Sequence, residues 1–181
     1  MNLKVNNNWT EIIGLPGVGK TRYLNENRDK LEKEFHIINS KNQSFFKKIK
    51  YFLYFIRIAN ILDDKQLLKK LSYRLSMRPT FNKKKVLFDD SGIFQVLIEN
   101  LIETNFKEVN KKINLICKFT IPGNIIFIND DLKYIINREM SRKRRRFKVK
   151  KTNLTKRYKQ ALKFIQEKIS NKIPNYKEIN I

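Results

Sequence analysis

The segment Gly14-Leu15-Pro16-Gly17-Val18-Gly19-Lys20-Thr21 constrains this chain more than any other stretch. It satisfies G-x-x-x-x-G-K-[S/T] at each specified position. Glycines lack a Cβ, so such a loop can turn its successive backbone N–H groups onto one anion. A helix opening just after the loop adds the positive end of its dipole. The lysine can reach the outer phosphates of a nucleoside triphosphate, and the threonine can offer its hydroxyl to Mg²⁺. The motif carries this meaning only between a strand and a helix. The sequence predicts both, with residues 10–13 as the strand and 20–35 as the helix. The expected site is therefore formed by Gly14, Pro16, Gly17, Val18, Gly19, Lys20, Thr21 and Arg22, with ATP and Mg²⁺ as ligands.

The rest of the chain alternates in the same way. Residues 36–40 read as a second short strand. A long helical region covers about 44–78, where Phe45, Ile49, Phe52, Leu53 and Ile56, then Leu67, Leu68, Leu71 and Leu75, recur at helical spacing. Leu62-Asp63-Asp64 can divide it, and Pro79 ends it. Residues 85–90 form an apolar run closed by Asp89, Asp90, Ser91 and Gly92, a third strand. Helices are expected over 93–104 and in a further piece ending near Cys117. Pro122-Gly123 reads as a turn and 125–129 as a fourth strand. Asp130 is expected to cap the next helix, which continues through Arg138 and Arg142 into Arg144, Arg145 and Arg146. Leu154, Tyr158, Ala161, Leu162, Ile165 and Ile169 stripe another helix, and residues 176–181 read as a terminal strand. Strands alternating with helices imply a parallel sheet covered on both faces, an α/β fold. Five strands use up the 181 residues as a single domain.

Composition narrows the chemistry. With 41% apolar residues the chain can build a core. One cysteine, Cys117, and one histidine, His36, exclude a disulfide framework and a Cys- or His-based metal cluster. Both are expected to pack as ordinary strand and helix residues. The N-terminal stretch lacks a signal-peptide apolar core. The most apolar run, 51–62, is interrupted by Arg57 and Asn60 and is too short to span a bilayer. A cytoplasmic protein that is not transmembrane is expected. Forty Lys and Arg against 17 Asp and Glu give a net charge of +23. That charge suits anionic partners: nucleic acid, anionic lipid headgroups or phosphorylated substrates. It also follows from a Lys-, Asn- and Ile-rich coding bias.

Four further features bear on chemistry. Asp89 and Asp90 end a strand, and residues beyond the carboxyl end of a parallel strand line the ligand crevice. A carboxylate there can hold Mg²⁺ or accept a proton from an attacking hydroxyl, although the same pair can simply cap the next helix. Arg138 and Arg142 stand four apart on the helix after the fourth strand, where arginines can clamp a transferring phosphoryl group. A solvated basic helix is the plain alternative. Lys70, Arg74 and Arg78 form a ridge that can receive an anionic acceptor or face water. Tyr51, Phe52, Tyr54 and Phe55 follow helical spacing and suit core or groove lining. The candidate catalytic set is Lys20, Asp89, Asp90, Arg138 and Arg142, with Thr21 and Asp89 as the candidate metal ligands.

Three blocks together resemble the small P-loop kinases, the broad group related to nucleoside monophosphate kinases and shikimate kinase. GLPGVGKT resembles their phosphate loop. VLFDDSGIFQ is similar to their strand ending in an Asp-Glu-Gly type motif, with Asp90 where Glu often stands. IPGNIIFINDDLKYIINREMSR resembles their Pro-led fourth strand and the helix carrying an R-x-x-x-R lid. The resemblance implies a three-layer P-loop NTPase fold, with a five-stranded parallel sheet in the order 2-3-1-4-5 flanked by helices. It implies a helical acceptor-binding insertion over about 44–80, a basic lid over about 138–151, and ATP-dependent transfer of a phosphoryl group to a hydroxyl or phosphate acceptor, while the net charge of +23 points to an anionic one. The insertion carries no signature of that family, so the acceptor is not implied. Three other readings compete. In an AAA+-type ATPase the strand ending at Asp89 and Asp90 would be the Walker B strand and Asn129 a sensor, but the expected single domain leaves no helical small domain. The charge also fits a kinase acting on nucleic-acid ends, or one acting on an anionic glycolipid or sugar at a membrane surface.

Overall fold

Strand β1 (Val5–Ile13) runs through the centre of the sheet. In this computed structural model the described residues are 4–38, 45–59, 61, 64–76, 85–88, 92–142, 147 and 150–181. The last five residues of β1 are all buried, as expected for a central strand covered on both faces. Its side chains alternate between those faces. Glu11 reaches the start of one helix, whereas Thr10 lines a cavity beneath two others.

Four parallel strands join β1: β2 (His36–Ile38), β3 (Val86–Phe88), β4 (Ile121–Asn129) and β5 (Asn175–Asn180). The sheet order is β2-β3-β1-β4-β5. Registers such as Glu11 opposite Phe88 and Ile13 opposite Phe127 bring the carboxyl ends of β1, β3 and β4 to one edge. That edge is where ligands bind in open parallel sheets. The Pro122-Gly123 pair is not a turn before β4 but lies inside it. The β1–β4 ladder shifts register between Asn6 and Thr10, opposite this pair, and an irregular ladder tolerates a residue that has no N–H to donate.

The helical segment after the phosphate loop is broken into α1 (Lys20–Glu26) and α2 (Arg28–Glu34). At the break the Asn27 amide donates to the Tyr23 carbonyl at 2.9 Å, the local competition that makes asparagine a helix interrupter. Helices α3 (Phe45–Ala59) and α4 (Lys65–Ser76) pack together between β2 and β3. Asp64 starts α4 by accepting from the N–H groups of Leu67 (3.0 Å) and Gln66 (3.2 Å). Its second oxygen accepts from Asn100 at 2.7 Å. The buried Lys112 ammonium donates to Asn100 Oδ1 at 2.7 Å and lies 3.9 Å from Asp64, tying the hairpin to the body of the domain.

Helix α5 (Ile93–Glu103) is buried along nearly its whole length, and α6 (Val109–Ile116) follows it. Helix α7 (Leu132–Ser141) starts at Asp131, one residue later than the sequence suggests. Asp131 Oδ1 accepts from the Lys133 N–H at 2.7 Å, which leaves Asp130 free to turn toward Arg138. Helix α8 (Lys151–Phe164) widens into a π turn (Ile165–Ile169) before β5. The core unites Trp9, Ile12 and Ile13 of β1 with the leucines of α4, the inner face of α5 and Tyr158 of α8. Among the described residues no helix is long and apolar enough to cross a membrane.

Candidate functional site

The phosphate-loop segment connects the end of β1 to the first residue of α1, so the strand and helix that the motif requires are both present. Gly17 (φ 96°) and Gly19 (φ 102°) adopt left-handed backbone, which only glycine takes without strain. Leu15 and Val18 are buried and anchor the loop from beneath, and the Val18 N–H closes a tight turn onto the Leu15 carbonyl at 3.1 Å. Two long-range hydrogen bonds hold the rest. The Tyr158 hydroxyl of α8 donates to the Pro16 carbonyl at 2.9 Å. The Gly14 N–H donates to Gln95 Oε1 of α5 at 3.0 Å. Lys20 folds back across the loop, its ammonium donating to the Gly14 carbonyl at 3.0 Å.

Beneath the loop lies Glu11, which is fully buried. Its Oε1 accepts the Gln95 N–H at 2.8 Å, and its carboxyl also faces the N–H groups of Ile93 and Phe94 at the start of α5. Burial outweighs these donors and the nearby Arg74 guanidinium, and pushes the carboxyl up to about 7. Gln95 thus holds both partners: its backbone binds Glu11 and its side chain binds the loop. Sequence reasoning missed Glu11, Gln95 and Tyr158. The one available signal was an acidic residue inside the apolar run of a central strand, which must find a partner when buried.

The remaining candidates separate. Thr21 is exposed in the first turn of α1, one residue beyond Lys20. Arg22 is exposed and pairs along the helix with Glu26 at 2.6 Å, so it is not brought to the loop. Arg138 is brought there: a Cβ on Gly19 would lie 3.5 Å from an Arg138 guanidinium nitrogen. Arg138 also pairs with Asp130 at the end of β4. Arg142 lies just past the end of α7 in extended backbone, not on the Arg138 face of a continuing helix. Its guanidinium forms an ion pair with the buried Glu139 at 2.9 Å. Asp89, Asp90, Arg78, Arg144, Arg145 and Arg146 lie outside the described residues. Of the Lys70–Arg74 ridge, Lys70 is exposed and Arg74 turns inward to act on Glu11. His36 stands in β2 but is exposed rather than packed, and Cys117 is buried at the end of α6.

A parallel sheet in the order β2-β3-β1-β4-β5, flanked by helices and carrying the phosphate loop at the end of its central strand, is the P-loop kinase fold. Among solved structures the chain is similar to the deoxyadenosine kinase of M. mycoides. With bound dATP that structure aligns at a TM-score of 0.59 and 16% identity, over 95% of this chain and 90% of that one. With the products dCMP and a flexible dCDP the TM-score is 0.58 at 16% identity, over 94% and 88%. With bound dCTP it is 0.57 at 16% identity, over 95% and 89%. No family model matches the chain, and no curated protein matches it in sequence.

Proposed function

We propose that this protein is an ATP-dependent phosphotransferase, a P-loop kinase that moves the γ-phosphate of ATP to a hydroxyl or phosphate acceptor. The observation that carries the reading is Lys20 lying on the Gly14 carbonyl, inside a loop with two left-handed glycines and with the Arg138 guanidinium at its rim. An arriving triphosphate offers Lys20 a charged acceptor in place of a neutral carbonyl, a roughly twofold stronger type of bond. The backbone N–H groups of the loop then face phosphate oxygens. In this reading Thr21 would share Mg²⁺ with the triphosphate, which its accessible side chain, one residue beyond Lys20, supports. The ion would neutralise the charge that builds on the bridging oxygens. In this reading Asp89, one residue beyond β3, completes the metal site or takes the acceptor's proton, and Asp90 is its alternate. Arg138 would face the transferring group, whereas Arg142 would have to leave Glu139 to join it. The acceptor enters from the α3–α4 side.

The likeness to a deoxyadenosine kinase puts nucleosides first among acceptors to test. The experiment is ATP consumption against nucleosides, nucleoside monophosphates, sugars and oligonucleotides, followed by mass measurement of the products. One acceptor class gaining a phosphoryl group supports the reading. ATP turnover with no phosphorylated product in any class, or no turnover at all, overturns it.

A further inference from the structure

Helix α3 is apolar on two opposite faces, and the domain covers only one. Tyr54 and Ile58 are buried, with the Tyr54 ring edge-on to Phe119 at 5.7 Å between centroids. On the other side Ile49, Phe52, Leu53 and Ile56 are 46%, 60%, 53% and 46% exposed. Their spacing of i, i+3, i+4 and i+7 places all four on a single stripe. A contiguous exposed stripe of this kind marks an interaction surface rather than chance exposure.

The charges around the stripe say what it meets. Residues 45–59 include Lys47, Lys48, Lys50 and Arg57 and contain no Asp or Glu. Lys50 and Arg57 are exposed, as are Lys65, Lys69 and Lys70 of α4. Among the described residues of the hairpin the only carboxylate is Asp64, and Asn100 already binds it. A second copy of the same face would press one cationic hairpin against another, within a chain of net charge +23. A nucleic-acid backbone would satisfy the lysines but leave the isoleucine and leucine side chains in water. An anionic bilayer meets both needs, with phosphate headgroups for the cations and an acyl boundary for the stripe. At 15 residues α3 is about 22 Å long, short of the ~30 Å hydrocarbon core, so it lies along the surface and does not span it.

We propose that α3 docks this protein onto an anionic lipid bilayer, with Ile49, Phe52, Leu53 and Ile56 entering the boundary between headgroups and acyl chains. The docking does not rest on the phosphotransferase reading, because binding to vesicles needs neither ATP nor an acceptor.

Flotation of the full chain with phosphatidylcholine vesicles, with and without phosphatidylglycerol, tests it. Binding is expected to the anionic vesicles and to weaken at least about tenfold in the double variant Phe52→Ser, Leu53→Ser. Both side chains are exposed, so the thermal midpoint of the variant should match that of the parent. A Phe52→Trp variant gives a second readout, in which lipids brominated on their acyl chains should quench the new indole. Absent binding overturns the proposal, as does binding that the double variant retains or an indole that the brominated lipids leave unquenched. So does a solution dimer that the double variant separates, since a second copy would then cover the face.

Discussion

The carboxyl of Glu11 and the backbone N–H of Gln95 meet at 2.8 Å between the central strand and α5. Gln95 passes the contact on, its side chain accepting the Gly14 N–H of the phosphate loop at 3.0 Å. The loop's entry is therefore fixed by a buried acid that it does not itself touch. A half-satisfied polar chain in a core is costly, because each lost partner leaves a desolvated group behind. Among the described residues Glu11 Oε2 has no hydrogen-bond partner and is buried, which favours the neutral acid.

That environment makes stability depend on pH in a defined window. The Glu11 carboxyl moves from 4.5 to about 7 on folding. Below about 4.5 it is protonated in both states, and its favourable contribution is complete. As pH rises, the unfolded chain releases the proton while the folded one keeps it, so stability falls until the folded carboxyl also ionises near 7. The loss is about 3 kcal/mol. Urea unfolding between pH 4 and 8 should show this fall in the parent chain and a flatter profile in Glu11→Gln. Parallel profiles in the two proteins would rule Glu11 out as the source.

Gly92 stands at the start of α5 in extended backbone, so its role is space. A Cβ there would lie 2.2 Å from Glu11 Cδ and 2.5 Å from Oε1. Gly92→Ala should therefore cost about 1–3 kcal/mol, the usual range for overpacking a tight core. Shortening the opposing side chain relieves the clash. The double variant Gly92→Ala, Glu11→Ala should lose less than the sum of its single variants, a coupling of at least about 0.5 kcal/mol by denaturant unfolding. Strict additivity would mean that the backbone moves instead.

Much of this architecture was legible in the chain. The loop motif, the alternating strands and helices and the leucine spacing of α4 are local patterns, and each became the element it suggested. The departures come from contacts that local pattern cannot carry. Pro122-Gly123 looks like a turn, yet β1 shifts register beside it and absorbs it into β4. Arg142 looks helical, yet α7 ends at Ser141 and Arg142 takes extended backbone. Glu11 and Gln95 are 84 positions apart, and only the parallel crossover from β1 to β3 brings them together.

Removal of the loop lysine gives the most direct reading of the nucleotide site. Lys20 donates to the Gly14 carbonyl, a contact that solvent can replace, so Lys20→Ala should melt within a few degrees of the parent. Its ATP affinity, measured by calorimetric titration with Mg²⁺, should fall at least about tenfold, because a charge-assisted bond to phosphate is lost. ATP binding and turnover that both match the parent would remove the phosphate loop from the proposed function.

Arg138 is poised between two partners, and its behaviour on binding separates a working residue from a solvated one. It pairs with Asp130 while its guanidinium borders Gly19. A γ-phosphate held by the loop would offer it a second anion from the opposite side, with charge that grows in the transition state. An arginine used in this way contributes mainly to kcat. Arg138→Ala should then lower turnover by about 10² or more while KM for ATP changes little. Asp130→Asn frees the same guanidinium and should leave turnover within a few fold. Hydrogen exchange supplies a readout that a structural role would not move. With a non-hydrolysable ATP analogue and Mg²⁺, protection over residues 132–142 should rise by more than over 158–164, where Tyr158, Ala161 and Phe164 are packed in the core. Equal protection with and without nucleotide, together with normal turnover in Arg138→Ala, would leave α7 a basic surface helix and Asp130 its only partner in this role.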